Sequence, residues 1–278
     1  MQTQFVFLDV DGTITNYRNE IPESAIQAIR QARANGHKVL PVTGRSKAEM
    51  YQEILDIGFD GYIGGNGSYI EYEDEVLYEE VLSTEDSQAI VDWLDDKGLA
   101  YYLESNNGLF ASPNFEERGR STMQEYAAYK GQPHPEDMDV RKSFPEMIFG
   151  GDLKRTDLNK VSFILESYDD YLEAKDKFAH LKVGTWGGNG EKALFGDIGV
   201  ANITKAGAIG RLLKLVNHPK EATLAIGDAK IDLSMIDYCQ VGVAVASGGP
   251  EIKEAADYVT AAVDDDGIYK AFQHFELI

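Results

Sequence analysis

The sequence contains a single cysteine, Cys239, which excludes an intramolecular disulfide and a zinc site built on cysteine ligands. Its five histidines are scattered along the chain without the spacing of a metal site. No stretch approaches the ~18 apolar residues that a membrane-spanning helix requires. No basic residue precedes Arg18, so the first residues do not predict a secretory signal peptide. We therefore expect a cytoplasmic protein.

Basic residues are also scarce. The chain has 26 Lys and Arg against 47 Asp and Glu, which gives a formal net charge of -21 at pH 7. Such a charge repels nucleic-acid phosphates and anionic lipids, so we expect neither a nucleic acid nor a membrane as partner. The 278 residues are enough for two domains with their own cores, and the 43% hydrophobic residues argue against disorder.

The two ends of the chain alternate between strand and helix patterns. Apolar runs predict strands at 5–8, 38–43, 223–226 and 241–245, and helical periodicity marks 22–35 and 205–216. Ser46 and Glu49 have the spacing of a capping box, which predicts a helix that continues through Ile54 to Ile57. This alternation predicts an α/β fold with a doubly wound, Rossmann-like parallel sheet.

The pattern changes in the middle of the chain. Gly61 begins a third predicted strand, and residues 69–80 alternate like a hairpin. Strand-like and helix-like pieces mix between 83 and 186, and a glycine-rich stretch at 187–190 is typical of a linker. We therefore predict a core formed by residues 1–82 and 187–278, with an α+β cap domain, residues 83–186, inserted into it.

The most informative segment, Asp9-Val-Asp-Gly-Thr13, follows the first predicted strand directly. Side chains at i and i+2 of an extended segment point the same way, so Asp9 and Asp11 face one spot beyond the strand. Two such carboxylates favour a bound cation, and their oxygens suit Mg²⁺. A solvated Asp-Gly turn is the alternative. An EF-hand is excluded by the preceding strand and by Ile14, where that loop needs glycine.

A second acidic segment, Gly227-Asp-Ala-Lys-Ile-Asp232, also follows an apolar strand. Asp228 is expected at the carboxyl end of that strand, and Asp232 shares its face if a helix begins between them. The alternative is an ordinary helix N-cap with an aspartate in the first turn. Two acidic segments at the same edge of one predicted sheet favour a shared site.

Two further segments are candidates for binding phosphate. Thr43 ends the second predicted strand and is followed by Gly44, Arg45 and the predicted helix, whose N-terminus attracts anions. Lys205 opens another predicted helix, where the helix dipole disfavours a cation unless an anion lies nearby. An ordinary exposed lysine is the alternative for Lys205.

These motifs, in this order, resemble those of the haloacid dehalogenase (HAD) superfamily, and the layout is similar to its Cof-type sugar-phosphatase-like branch. The matching segments are Asp9-Val-Asp-Gly-Thr13, Val42-Thr-Gly-Arg45, Asn66-Gly67, Lys205, and Gly227-Asp228 with Asp232. They span essentially the whole chain. The ordered set carries the resemblance, because no single motif is specific.

The resemblance implies a role for each matching residue. Asp9 is then the nucleophile that forms an aspartyl-phosphate, and Asp11 the general acid and base. Mg²⁺ is then bound by Asp9, the backbone carbonyl of Asp11, and Asp228, while Asp232 holds the metal or a water.

The phosphate-binding groups implied by the resemblance are Thr43, Gly44 and Lys205, with Arg45 and Asn66 as possible substrate contacts. In the cap, Lys160 and Arg155 are candidates for reaching a substrate by their location alone.

The sequence departs from the family pattern at two places. Ile231 stands where Asn often precedes the last Asp, and Ala246-Ser-Gly-Gly249, with Ser247, replaces a Gly-Asn-Ala turn. The expected function is a Mg²⁺-dependent phosphatase that acts on a small phosphorylated metabolite, such as a sugar phosphate. A phosphomutase of related fold and a non-catalytic metal- or phosphate-binding regulator are the alternatives. The oligomeric state is left open.

Overall fold

The computed structural model describes residues 2–188 and 190–278, so Asn189 of the predicted linker lies outside the described residues. The chain divides into two compact units. Unit 1 contains the residues up to Arg45, Met50–Glu79 and Ile203–Ile278, and unit 2 contains Ser46–Glu49 and Glu80–Asn202. The return to unit 1 thus lies at Ile203 rather than at residue 187.

The elements are numbered in chain order. The strands are β1 Phe5–Leu8, β2 Lys38–Pro41, β3 Gly61–Gly64, β4 Tyr69–Tyr72, β5 Glu75–Glu79, β6 Tyr101–Ser105, β7 Gly108–Ala111, β8 Met147–Phe149, β9 Lys160–Ile164, β10 Lys182–Trp186, β11 Phe195–Gly199, β12 Thr223–Gly227, β13 Val241–Val245 and β14 Tyr258–Thr260. The helices are α1 Glu23–Ala34, α2 Gln52–Leu55, α3 Thr84–Lys97, α4 Phe115–Tyr129, α5 Val140–Ser143, α6 Tyr168–Lys177, α7 Lys205–Leu215, α8 Leu233–Tyr238, α9 Pro250–Ala255 and α10 Gly267–His274.

Unit 1 is built on a parallel sheet with the strand order β14-β13-β12-β1-β2. Alternate residues of β1 pack on opposite faces: Val6 and Leu8 belong to a hydrophobic cluster with residues of α1 and α10, whereas Phe5 and Phe7 belong to a cluster with residues of α7 and α8. Helices therefore cover both faces of the sheet, as the doubly wound prediction requires. The α/β fold class is confirmed.

The third predicted strand does not join this sheet as a full member. It forms β3 of a separate antiparallel sheet with β4 and β5, and an isolated parallel bridge between Val42 and Ile63 links it to the residue after β2. The predicted hairpin at 69–80 is confirmed. Its turn lies at Glu73 and Asp74, which both have positive φ.

The continuous helix predicted from Ser46 to Ile57 is wrong. A short 3-10 turn, Lys47–Glu49, is followed by extended Tyr51 and then by α2. Ala48 packs in the core of unit 2, whereas Ile54 packs in the core of unit 1. The helical backbone is interrupted between these two residues, at extended Tyr51.

Unit 2 contains a six-stranded sheet with the order β10-β11-β9-β6-β7-β8, in which only β7 and β8 pair in parallel among the described residues. Helices α3 and α6 pack on one face, and α4 packs on the other. This α+β arrangement fits the expected cap domain. None of the helices in the described part of the chain is long and apolar enough to cross a membrane.

Candidate active site

The acidic residues of the two main motifs follow neighbouring strands of the parallel sheet. Asp9 comes directly after β1 and Asp228 directly after β12, and these strands lie side by side in register. The backbone N–H of Asp9 donates to the carbonyl of Ile226 at 2.9 Å, which continues the pairing to the end of both strands. The carboxyl ends of parallel strands thus carry both carboxylates to one edge of unit 1.

Lys205 is buried between two carboxylates. It is the first residue of α7, which Thr204 caps by accepting the N–H of Gly207 at 3.0 Å. Its Nζ lies 2.6 Å from Oδ1 of Asp9 and 2.5 Å from Oδ1 of Asp232. Burial alone lowers the pKa of Lys205, but the two carboxylates outweigh it and raise that pKa above its ordinary value. These anions compensate for the unfavourable helix dipole, and Lys205 stays charged.

Asp232 braces the turn after β12. While Oδ1 accepts from Lys205, Oδ2 accepts the backbone N–H groups of Asp228 and Ala229, at 3.2 and 3.1 Å. Oδ2 therefore makes the contacts of a capping residue, as the alternative interpretation of the sequence expects, whereas Oδ1 faces the buried Lys205. Both carboxylate oxygens of Asp232 have protein partners, which fixes its position relative to Asp228.

Asp9, Asp228 and Asp232 form a buried carboxylate cluster whose ligand oxygens all lie within 4.8 Å of one another. Burial, and then repulsion by Asp232, raise the pKa of Asp9 well above its ordinary value. Burial also raises the pKa of Asp228, to about 6. A set of oxygen donors with this much unbalanced negative charge fits a hard divalent cation.

The side chain of Asp11 pairs with Arg45. Nε of Arg45 lies 3.0 Å from Oδ2 of Asp11, and Nη2 lies 2.6 Å from Oδ1, so the guanidinium engages both oxygens. The same guanidinium lies over the ring of Tyr51, 4.8 Å from its centroid. Arg45, predicted as a substrate contact, therefore also orients the residue predicted as general acid and base.

Thr43, Gly44 and Asn66 come together beside this pair. The hydroxyl of Thr43 accepts the backbone N–H of Arg45 at 3.2 Å, and its carbonyl accepts the N–H of Asn66 at 2.9 Å. A Cβ on Gly44 would lie 3.2 Å from Oδ1 of Asn66, so the two segments approach closely. The helix N-terminus expected after Arg45 is missing, because the 3-10 turn Lys47–Glu49 takes its place.

Two hydroxyl groups that the sequence reasoning did not assign contact Asp228. Thr13 donates to Oδ1 at 3.4 Å, and the Tyr17 hydroxyl donates to Oδ2. Thr13 belongs to the first motif, so its proximity follows from the motif. Tyr17 lies beyond the motif, and the sequence contains no local signal that assigns it to the site.

The two departures from the family pattern lie at the edge of the cluster. Ile231 is half-exposed on the turn that Asp232 braces. In the segment 246–249, the N–H of Gly249 donates to the carbonyl of Asp228 at 2.9 Å, and a Cβ on Gly248 would lie 2.7 Å from that oxygen. Ser247 is exposed. This turn therefore supports the backbone of Asp228 through its glycines.

Residues 6–272 of the chain match the family description of haloacid dehalogenase-like hydrolases. The chain belongs to this family. The putative phosphatase YkrA of Bacillus subtilis is 26% identical over 283 residues, with 100% of both chains covered. Phosphatase YwpJ of the same organism is 24% identical over 290 residues and covers 98% of this chain and 99% of its own.

Solved structures of other proteins have the same fold. The HAD subclass IIB sugar phosphatase BT4131 is 26% identical and superposes with a TM-score of 0.75, covering 99% of this chain and 100% of its own. A hypothetical protein of Geobacillus kaustophilus superposes with a TM-score of 0.80 at 23% identity, covering 100% of both chains, and this likeness concerns the fold alone. The expected family and the enzyme class, a HAD-type phosphatase, are confirmed.

Proposed function

We propose that this HAD-like hydrolase is a Mg²⁺-dependent phosphatase of a small phosphorylated metabolite, such as a sugar phosphate, with Asp9 as the nucleophile. The observation that carries the proposal is the ion-paired cluster in which Lys205 bridges Asp9 and Asp232 beside Asp228. A carboxylate at the end of a strand, held next to a buried cation, supports this role, because the cation screens its repulsion from an anionic phosphoryl group.

In the proposed reaction, an Asp9 oxygen forms a bond to phosphorus while the bond from phosphorus to the ester oxygen breaks. Asp11 donates a proton to the departing oxygen, and the alcohol leaves. Asp11 then takes a proton from a water molecule, whose oxygen attacks the aspartyl-phosphate and releases inorganic phosphate with Asp9 restored. Arg45 pairs with both oxygens of Asp11 in the free protein, so its positive charge opposes protonation of Asp11 and favours the step in which Asp11 gives its proton away.

Asp9 and Asp228 are the proposed side-chain ligands of Mg²⁺, together with the backbone carbonyl of Asp11. A bound Mg²⁺ supplies positive charge that screens the repulsion between the Asp9 carboxylate and the phosphoryl oxygens. Asp232, whose oxygens are occupied by Lys205 and two backbone N–H groups, positions Asp228 and Lys205. Thr43, the backbone of Gly44 and Lys205 are the proposed partners of the phosphoryl oxygens, and Arg45 and Asn66 are proposed substrate contacts.

Unit 2 is the proposed cap that selects the substrate. Two candidates from the sequence already have partners there: Lys160 lies 3.1 Å from Glu104, and Arg155 pairs with Asp157 at 2.6 Å. A substrate group that binds Lys160 or Arg155 therefore competes with the carboxylate that is already paired with that residue.

The test is a phosphate-release screen over phosphorylated metabolites with Mg²⁺. It compares the wild type with Asp9→Asn and with Asp237→Asn, an exposed carboxylate on α8. Asp9→Asn is expected to lose at least ~10³-fold in kcat, because the amide is not a nucleophile, whereas Asp237→Asn keeps full turnover. EDTA is expected to abolish wild-type turnover and added Mg²⁺ to restore it. Turnover by Asp9→Asn, or isomer formation without phosphate release, contradicts the proposal.

A further inference from the structure

We propose that Tyr17 is a positioning residue of this site, which holds the carboxylate of Asp228 in the orientation that a divalent cation requires. The inference rests on the proposed function, in which Asp228 is a metal ligand. Carboxylates that bind metals are held by hydrogen bonds from neighbouring groups, and these partners set the affinity for the ion.

The carboxylate of Asp228 is held from both sides by hydroxyl groups. Tyr17 donates to Oδ2, and Thr13 donates to Oδ1 at 3.4 Å. The backbone approaches from a third side, since a Cβ on Gly12 would lie 2.3 Å from Oδ2. The Thr13 contact is long for a hydrogen bond, so Tyr17 provides the stronger restraint on the rotation of this carboxylate.

The loop that carries Tyr17 is itself braced. The buried side chain of Asn16 accepts the backbone N–H groups of Arg18 and Glu20, at 2.9 and 3.0 Å. Its amide also donates to the side chains of Glu20 and Asp264, at 2.7 and 2.9 Å. These four contacts fix the backbone on both sides of Tyr17. The hydroxyl of Tyr17 is therefore presented to Asp228 by a preorganised loop.

A tyrosine hydroxyl, with an ordinary pKa of about 10, is a hydrogen-bond donor at neutral pH. The side chain of Tyr17 is 45% exposed, so it contributes little to the core of unit 1. Removal of its hydroxyl alone therefore leaves the packing intact and deletes one hydrogen bond to Asp228.

The experiment measures binding of Mn²⁺ alone, as a paramagnetic substitute for Mg²⁺, by water-proton relaxation on the full chain. Tyr17→Phe is expected to weaken Mn²⁺ binding about 10-fold, within the range for lost hydrogen-bond partners of metal ligands. In the same variant kcat is expected to fall while KM for the phosphate ester stays within about twofold. The matched control is Tyr129→Phe, at an exposed position of unit 2. This variant is expected to bind Mn²⁺ with the affinity of the wild type.

Tyr17→Phe with wild-type or tighter Mn²⁺ binding overturns the inference about Tyr17 and leaves the proposed function standing. A wild type that does not bind Mn²⁺ overturns both. The unfolding temperatures of the metal-free wild type and Tyr17→Phe are expected to agree. A lower unfolding temperature of the metal-free variant, with unchanged affinity, assigns Tyr17 a purely structural role and also overturns the inference.

Discussion

At the scale of single residues, Lys205 is a buried cation of the site. Its charge is enclosed by the protein, and its two partners, Asp9 and Asp232, are also buried. Removing one member of such a buried group leaves the other charges without compensation, which destabilises more than the group itself stabilises. Lys205 therefore maintains the folded site as well as binding phosphate in the proposed mechanism.

Lys205→Met is expected to lower the free energy of unfolding by about 3–5 kcal/mol, because two buried carboxylates lose their cation. Adding Asp232→Asn to it removes one of these charges and is expected to recover part of the loss. Urea denaturation followed by circular dichroism measures both effects. Lys214→Met, at an exposed position of the same helix, is the control and is expected to change stability by no more than ~0.5 kcal/mol. A double variant less stable than Lys205→Met contradicts this account.

The candidate residues of the site were predictable to different degrees. Asp9 and Asp228 follow from strand ends, since the carboxyl ends of parallel strands share one edge of a sheet. The pairing of Lys205 with Asp232 joins two distant segments, and residue spacing alone contains no information about such a contact. Tyr17 illustrates the same limit, because its role depends on a loop conformation that Asn16 holds together.

At the scale of elements, the connection after β1 depends on the backbone of Gly12. Its φ of +93° lies in the left-handed region, and its missing side chain leaves space for Asp228. Gly36, at the end of α1, has almost the same φ, +91°, but a Cβ there meets no atom within 4 Å. Substitutions at these two glycines therefore distinguish the effect of backbone strain, which both share, from the displacement of a site residue, which only Gly12 causes.

Gly12→Ala and Gly36→Ala are both expected to lower the free energy of unfolding by ~1 kcal/mol or more, because alanine disfavours positive φ. Only Gly12→Ala is expected also to weaken Mn²⁺ binding and to reduce kcat at least ~10-fold, since its Cβ displaces the carboxylate of Asp228. Thermal unfolding, Mn²⁺ relaxation and phosphate release measure the three effects. Equal losses of activity in the two variants would rule out displacement of Asp228 as the cause.

At the scale of the whole molecule, the parallel sheet was predictable and part of unit 2 was not. The strands of unit 1 are continuous apolar runs, which buried parallel strands require. In contrast, β11 contains Gly196, Asp197 and Gly199, and its sequence shows no strand-like alternation. It becomes a strand because β9 and β10 pair with it on either side. Tertiary pairing overrides local preference there, which explains why the boundary at 187 differs from the return at Ile203.

An acidic residue, Glu104, is also buried in the interior of unit 2. Glu104 is only 1% exposed; its carboxylate accepts the Ser162 hydroxyl at 2.5 Å and lies 3.1 Å from Nζ of Lys160. Burial and repulsion by Glu49 raise the pKa of Glu104 to about 8, although Lys160 opposes the shift. Glu104 therefore binds its proton more tightly in the folded protein than in the unfolded chain.

This difference makes the stability of unit 2 depend on pH. Between the ordinary glutamate pKa of 4.5 and about 8, unfolding releases the Glu104 proton, so the free energy of unfolding falls as pH rises, by at most ~1.4 kcal/mol per pH unit from this group. Glu104→Gln imitates the protonated side chain and is expected to flatten that slope, with the larger gain in the free energy of unfolding over wild type at pH 8 than at pH 6.

Both tryptophans, Trp93 and Trp186, lie in unit 2, so urea unfolding followed by tryptophan fluorescence measures this unit. Glu117→Gln, an exposed position on α4, is expected to keep the wild-type slope, and a Glu104→Gln slope as steep as that of wild type would show that Glu104 is ionised in the folded protein.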